Sequence, residues 1–142
     1  MHTIINTIQN KLADVPALKY ISEDWGQLNY YDKDCPVQWP CCLLDINSGT
    51  FSETSTTQQG TLQIALNIAD IRLSPNSLKA SSKQKNDSWE VLQIVSDVHH
   101  LINRFRPNQQ HGRLIRTSIR KIKRQDAIKQ YEVIYTLAVN NV

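Results

Sequence analysis

Glycine is scarce in this chain, and the four present, Gly26, Gly49, Gly60 and Gly112, each stand alone. No glycine-rich loop can therefore gather several backbone N–H groups around a phosphate. Long apolar runs are also missing: none approaches the roughly 20 residues of a membrane-spanning helix. The opening residues MHTIINTIQNKL lack the basic segment and continuous apolar stretch of a secretion signal. The chain is expected to stay in the compartment where it is made. Cysteine is sparse and odd in number, and Cys41 and Cys42 are adjacent, with Cys35 the third. That is no disulfide framework, and reduced thiols are the plain expectation.

Sequence signatures of catalysis are missing too. There is no G-x-S-x-G elbow, no H-E-x-x-H and no phosphate-binding P-loop. Ser96, Asp97 and His99 are close in sequence, but on one helix they point apart. His99, His100, His111 and the three cysteines invite a metal reading. Adjacent residues on a helix diverge by about 100°, and adjacent strand residues face opposite sides. Neither the His99-His100 pair nor the Cys41-Cys42 pair can chelate from one surface, and no C-x2–4-C pair exists. His99 is expected at the border of a buried stripe and His100 at the surface. The expectation is a protein without catalytic residues, cofactor or metal.

What is present is a chain of 142 residues, 40% hydrophobic and 20% charged. That suits one globular domain over 1–142 with a real core. The net charge of +3 is unevenly spread: residues 1–60 hold three lysines against seven carboxylates, a net of −4, leaving +7 for the rest. An acidic end and a basic end would suit head-to-tail contacts, unless the two halves interleave in the fold.

The basic charge is concentrated in residues 113–124, RLIRTSIRKIKR, followed by Gln125-Asp126-Ala127 and the apolar run IKQYEVIYTLAV. Arg113, Arg116, Arg120, Lys121, Lys123 and Arg124 crowd one strand and its tip, with Asp126 and Glu132 nearby. Tyr131, Val133, Tyr135, Leu137 and Val139 share one parity on the second strand, and Ile115, Thr117 and Ile119 form the less polar set of the first. Opposed residues share a face. A three-residue loop at 125–127 therefore pairs Ile119 with Val133, Thr117 with Tyr135 and Ile115 with Leu137, and sets Arg120 opposite Glu132 on the outer face. Asp126 or a neighbour is expected to take a left-handed conformation. This register puts Arg116 and Arg120 away from the core.

Elsewhere, Ile4, Ile5, Ile8, Leu12 and Val15 recur at helical spacing and predict a helix ending before Pro16. Residues 16–40 contain four prolines or glycines and read as irregular, with a short strand at Leu28–Tyr31. CCLLDI (41–46) reads as a strand buried on both sides. Residues 47–61 suit a polar loop or long hairpin tip. Leu62, Ile64, Leu66 and Ile68 mark a strand whose phase slips at Ile71 and Leu73, so a bulge is expected near Ala69-Asp70. Residues 74–86 read as a Ser/Lys-rich loop. Asp87 with Glu90 resembles a capping box that opens a helix with Val91, Ile94, Val95, Val98, Leu101, Ile102 and Phe105 as its buried stripe, stopped by Pro107. The fold class expected is α+β: a four-stranded, mostly antiparallel sheet with two helices on one face, in the order α-β-β-α-β-β.

The basic hairpin carries two functional readings, a nucleic-acid backbone or an acidic protein surface, against the plain reading of a solvated cationic edge that discourages stray strand pairing. Tyr131 and Tyr135 fall on the core face and read as packing rather than base-stacking residues. The ordered series of the N-terminal helix, PCCLLDI, LQIALNIADIRL with its polar loop, WEVLQIVSDVHHLINRF and the closing hairpin resembles the tail-completion (tail-terminator) proteins of long-tailed bacteriophages. Residues 16–40 have no counterpart in that resemblance. It implies a non-enzymatic ring subunit, usually of a hexamer, in the tail or neck of a virion and made in the bacterial cytoplasm. Such a ring caps the tail tube protein, joins it to the head-side connector protein and lets DNA pass through its lumen without sequence-specific binding or any membrane. On that footing the basic tip and the loops 47–61 and 74–86 are docking surfaces. The alternative is a small nucleic-acid-binding domain tracking phosphates with residues 113–124; a head-side connector subunit is a third.

Overall fold

A computed structural model describes residues 1–30, 35–71 and 79–142. Its elements are α1 (His2–Leu12), β1 (Tyr20–Glu23), a 3-10 turn (Gln27–Tyr30), β2 (Cys41–Glu53), β3 (Gln58–Ile71), α2 (Ser82–Ile102), β4 (Ile115–Ile122) and β5 (Ile128–Asn140). They form one five-stranded sheet in the order β1-β2-β3-β5-β4. β1 runs parallel to β2, and the other neighbours are antiparallel. The class is α+β as expected, but with five strands instead of four.

The extra strand lies in the proline-flanked region read as irregular. Its four residues are too few to show an alternation, and it pairs only with Cys41–Leu44. Leu28–Tyr31 is not the strand expected there: Gln27–Tyr30 form the 3-10 turn, and Tyr31 lies outside the described residues. Side chains hold that turn. Asp24 Oδ1 accepts from Gly26 N, whose φ of 95° suits only glycine, while Gln27 donates to Glu23 O and accepts from Trp25 N.

Both helices cover one face of the sheet. Ile4, Ile8 and Leu12 of α1 and Val91, Ile94, Val95, Val98 and Ile102 of α2 pack with Cys42, Leu44, Leu62, Leu66, Val133 and Tyr135. A smaller cluster on the reverse face joins Leu28, Cys41, Leu43, Ala69 and Ile128 with Tyr20, Val37 and Trp39. Cys41–Leu44 are therefore buried on both sides, as their unbroken apolarity implied. The second cluster also explains the phase slip in β3. There is no bulge near Ala69-Asp70; β3 pairs without interruption, and Ile71 meets Ile128 on the reverse face. Leu73 lies outside the described residues. The observed register shifts are in β2, between Ile46 and Ser48, and in β4, between Arg116 and Ser118.

α2 starts five residues before the expected Asp87. Ser81 accepts from Gln84 N, and the Gln84 side chain accepts from Ser81 N, an earlier capping box that outcompetes the Asp87/Glu90 pair. The expected loop 74–86 thus ends in helix; its residues 74–78 lie outside the described set. Residues 47–61 form a true hairpin, closed by Thr54 donating its backbone N–H and its hydroxyl to Thr57 O. Opposite each other in it are Phe51 and Gly60, with the Phe51 ring resting over the glycine where a Cβ would collide.

Candidate functional site

The basic hairpin forms one margin of the sheet. Among the described residues β4 pairs with β5 on one side and with no strand on the other, and the helix contacts to the sheet fall mainly on β1, β2, β3 and β5. All residues from Ile115 to Lys121 are exposed, including Ile115 (58%) and Ile119 (46%). Near the tip the expected register holds: Ile119 opposes Val133 and Arg120 opposes Glu132. Below it, the bulge at Thr117 shifts the ladder by one residue. Arg116 opposes Tyr135, and Ile115 opposes Thr136, contrary to the expected Thr117–Tyr135 and Ile115–Leu137 pairs. Arg116 therefore lies on the same face as Val133, against expectation. Exposure makes the shift tolerable, because α2 does not extend over this strand and a guanidinium there stays in water.

The six nominated cations fall into three environments. Arg113, Arg116, Lys121 and Lys123 are exposed, and Arg116 and Lys121 share the helix side with Ile119. Arg120 lies on the reverse face in a 2.9 Å ion pair with Glu132, open to solvent on the arginine side and so worth little. Arg124 turns inward. Its Nε and Nη2 donate to the Asp126 carboxylate, Nη1 donates to Gln130 Oε1 at 2.9 Å, and Nη2 donates to Leu28 O at 2.6 Å. The hydrogen bond from Arg124 holds the Asp126 carboxyl below the usual carboxylate range, and Asp126 in return raises the guanidinium. Asp126 also accepts from Ile128 N, which shapes the tip without a left-handed residue; among the described residues the non-glycine positions with positive φ are Arg104 and Asn141.

From Gln130 the polar chain continues inward. Gln130 Nε2 donates to Asn67 Oδ1, and Asn67 Nδ2 donates to Asp24 Oδ2. The chain pins the 3-10 turn and the hairpin tip to the reverse face of the sheet. The sequence had marked Arg124 only as a cation; the pairing at sequence separations of 43 to 96 residues left no local signal.

Beside the start of β4, a recess is lined by His99, Asn103, Arg104, Arg113, Ile115 and Arg116. His99 Nδ1 and Tyr135 Oη share a 3.1 Å hydrogen bond. Burial, with help from Arg116 and His100, lowers the His99 pKa, while burial pushes the Tyr135 phenol up to about 12. Both rings are thus neutral at neutral pH, a packing pair at the border of the core. Tyr131 and Tyr135 both contact the helix-side cluster. Burial pushes the Cys41 thiol up to about 12 and the Cys42 thiol higher still, so neither is a ready thiolate. Among the described residues no group of three or more His, Cys, Asp or Glu could hold a metal ion, and no helix is long and apolar enough to cross a membrane.

At the opposite margin lies a groove of about 490 Å³ between α1 and the edge of β2. His2, Ile5, Asn6, Gln9, Leu44 and Ile46 line it with Ser22, Glu23 and Asp45; Glu23 shares the face of Leu44, while Asp45 alternates to the reverse face. Glu23 thus lies at one margin of the sheet and the β4 cations at the other, while Asp24 reaches the basic hairpin tip through Asn67 and Gln130.

No family model and no curated protein matches the chain. Among solved structures, the fold is similar to a chain in "Virion of native gene transfer agent (GTA) particle", with a TM-score of 0.60 at 6% identity, over 92% of this chain and 84% of that one. At that identity the likeness is one of fold.

Proposed function

We propose that the protein is a structural, non-enzymatic subunit of a phage-like virion. It assembles with copies of itself into a ring that terminates the tail tube and joins it to the head-side connector. The observation that carries this reading is the bare β4 edge. Cations alone would be explained as a guard against stray pairing. Ile115 and Ile119, 58% and 46% exposed among them, are not; apolar side chains on an unpaired edge favour a partner. The fold likeness to a virion chain supports the setting, and the resemblance to tail-completion proteins supplies the finer role. On this reading the protein resides in the tail or neck, DNA crosses the lumen without sequence-specific contact, and the exposed β2–β3 hairpin meets the tube or connector.

The second reading is the nucleic-acid-binding domain. The exposed Arg113, Arg116, Lys121 and Lys123 favour it, but Tyr135 is fully buried and offers no stacking face. Salt separates the two, since phosphate binding weakens steeply from low to moderate salt. The direct test adds purified protein to tail tubes that lack a terminator and scores joining to heads by electron microscopy. Joined particles are expected. No binding to tubes, together with tight salt-sensitive binding to duplex DNA, would favour the second reading.

A further inference from the structure

The two sheet edges match each other in chemistry, and this deepens the ring reading on which it rests. β4 presents Arg116, Ile119 and Lys121 on the helix side: two cations flanking an exposed isoleucine. The far groove presents Ile5, Leu44 and Ile46 as an apolar floor with Glu23 as its acidic group; Asp45, at the same edge, alternates to the reverse face. Glu23 opposes Leu44, so it too lies on the helix side. Both edges are also open along the backbone. β1 covers β2 only along Cys41–Leu44, which among the described residues leaves Asp45–Glu53 of that thirteen-residue strand without a neighbouring strand on that side. Among the same residues β4 has none on its outer side. Unpaired N–H and C=O groups on such edges are a template for strand addition.

We infer that the β4 edge of one copy docks along the α1–β2 groove of the next. Ile119 then sits on the apolar floor, Arg116 and Lys121 face Glu23, and the open edges of β4 and β2 come side by side. Because the two surfaces are different and lie at opposite margins, every copy uses both, and the contact is heterologous. Repetition by rotation closes a ring; without closure it would build a filament. A β4-to-β4 contact would instead bring like charges together. The charge match predicts that assembly weakens as salt rises, while the apolar floor keeps part of the contact at high salt.

The test uses two substituted full-length chains. One carries Arg116→Ser, Ile119→Ser and Lys121→Ser; the other carries Glu23→Lys. The strand positions are exposed, and circular dichroism with thermal melting checks that both chains fold. Sedimentation velocity then follows assembly. Each chain alone is expected to need about tenfold or more protein to assemble, a loss of about 1.4 kcal/mol per tenfold. Mixed together, they retain one intact groove and one intact strand and are expected to form a two-copy complex and nothing larger. If the groove-substituted chain still pairs with itself, the contact is isologous and the inference is wrong. If both chains assemble as the unsubstituted protein does, the surfaces assigned here are wrong while the ring reading stands. If the strand-substituted chain assembles normally but loses binding to a short DNA duplex, the edge serves nucleic acid and the inference falls. If the unsubstituted protein stays monomeric at every concentration, the ring reading falls and takes the inference with it.

Discussion

Replacing Arg124 with alanine should be the most damaging single change in the basic hairpin, although it removes one cation among six. The side chain is 14% exposed and donates to three partners: the Asp126 carboxylate, Gln130 Oε1 and the backbone carbonyl of Leu28. Hydrogen bonds to a charged group contribute about 1.5–3 kcal/mol each, and a buried acceptor left without a donor costs about 1–3 kcal/mol. Asp126 is 24% exposed and regains water when the arginine is gone. Leu28 O and the Gln130 amide have less recourse, since both residues are buried. Allowing for partial rehydration, the loss is about 2–3 kcal/mol. For a domain of this size that corresponds to a fall in Tm of roughly 5–10 °C. Urea denaturation of Arg124→Ala beside Lys123→Ala provides the comparison, because Lys123 is exposed and should change stability by less than about 0.5 kcal/mol. Hydrogen exchange should show the 3-10 turn at Gln27–Tyr30 opening more readily in Arg124→Ala. Equal stabilities for the two variants, or unchanged protection of the turn, would refute the pinning role.

The same pair sets an acid dependence. The Asp126 pKa is lowered on folding by Arg124, so its contribution is complete above the unfolded value of about 3.9 and is lost as pH falls through the lower folded one. Asp126→Asn should flatten the stability–pH curve in that acid range; an unchanged slope would count against it. In the β2–β3 hairpin, Gly60→Ala would drive a methyl into the Phe51 ring and against Thr50 O. It should cost about 1–3 kcal/mol, and a Phe51→Ala background should relieve part of that in a double-mutant cycle. Thiol titration with an aromatic disulfide should label Cys35 in the folded protein and all three cysteines only after unfolding, since Cys41 and Cys42 are fully buried and held protonated. Fast native labelling of more than one thiol would contradict the two-sided burial of β2.

Where one element contains its own signal, the sequence was a good guide. The helical stripes of α1 and α2, the doubly buried Cys41–Leu44 and the Ile119–Val133 register all follow from periodicity inside a short window. What escaped depends on distant residues. β1 is four residues long and exists because β2 offers it an edge. The apparent phase slip in β3 records a second apolar cluster on the reverse face, assembled from Leu28, Cys41, Leu43, Ala69 and Ile128. The bulge at Thr117 carries no glycine to announce it, and it moved Arg116 to the opposite face. Ile115 and Ile119 read as core residues because alternation reports hydrophobicity alone. Whether a helix lies above a strand depends on packing that their neighbours in sequence do not encode. Arg124 is the clearest case: a residue chosen for its charge proved to be one that holds the fold, while Lys121 and Lys123 beside it stay exposed.

The central claim is that this chain is a building block whose unlike edges join copy to copy. Native mass spectrometry of the purified protein across a range of concentrations tests it most directly. The account predicts a closed assembly of one fixed size, six times the 16.3 kDa chain if the resemblance to tail-completion proteins extends to stoichiometry, dissociating as salt rises. A mass of 16.3 kDa persisting at every concentration would contradict it.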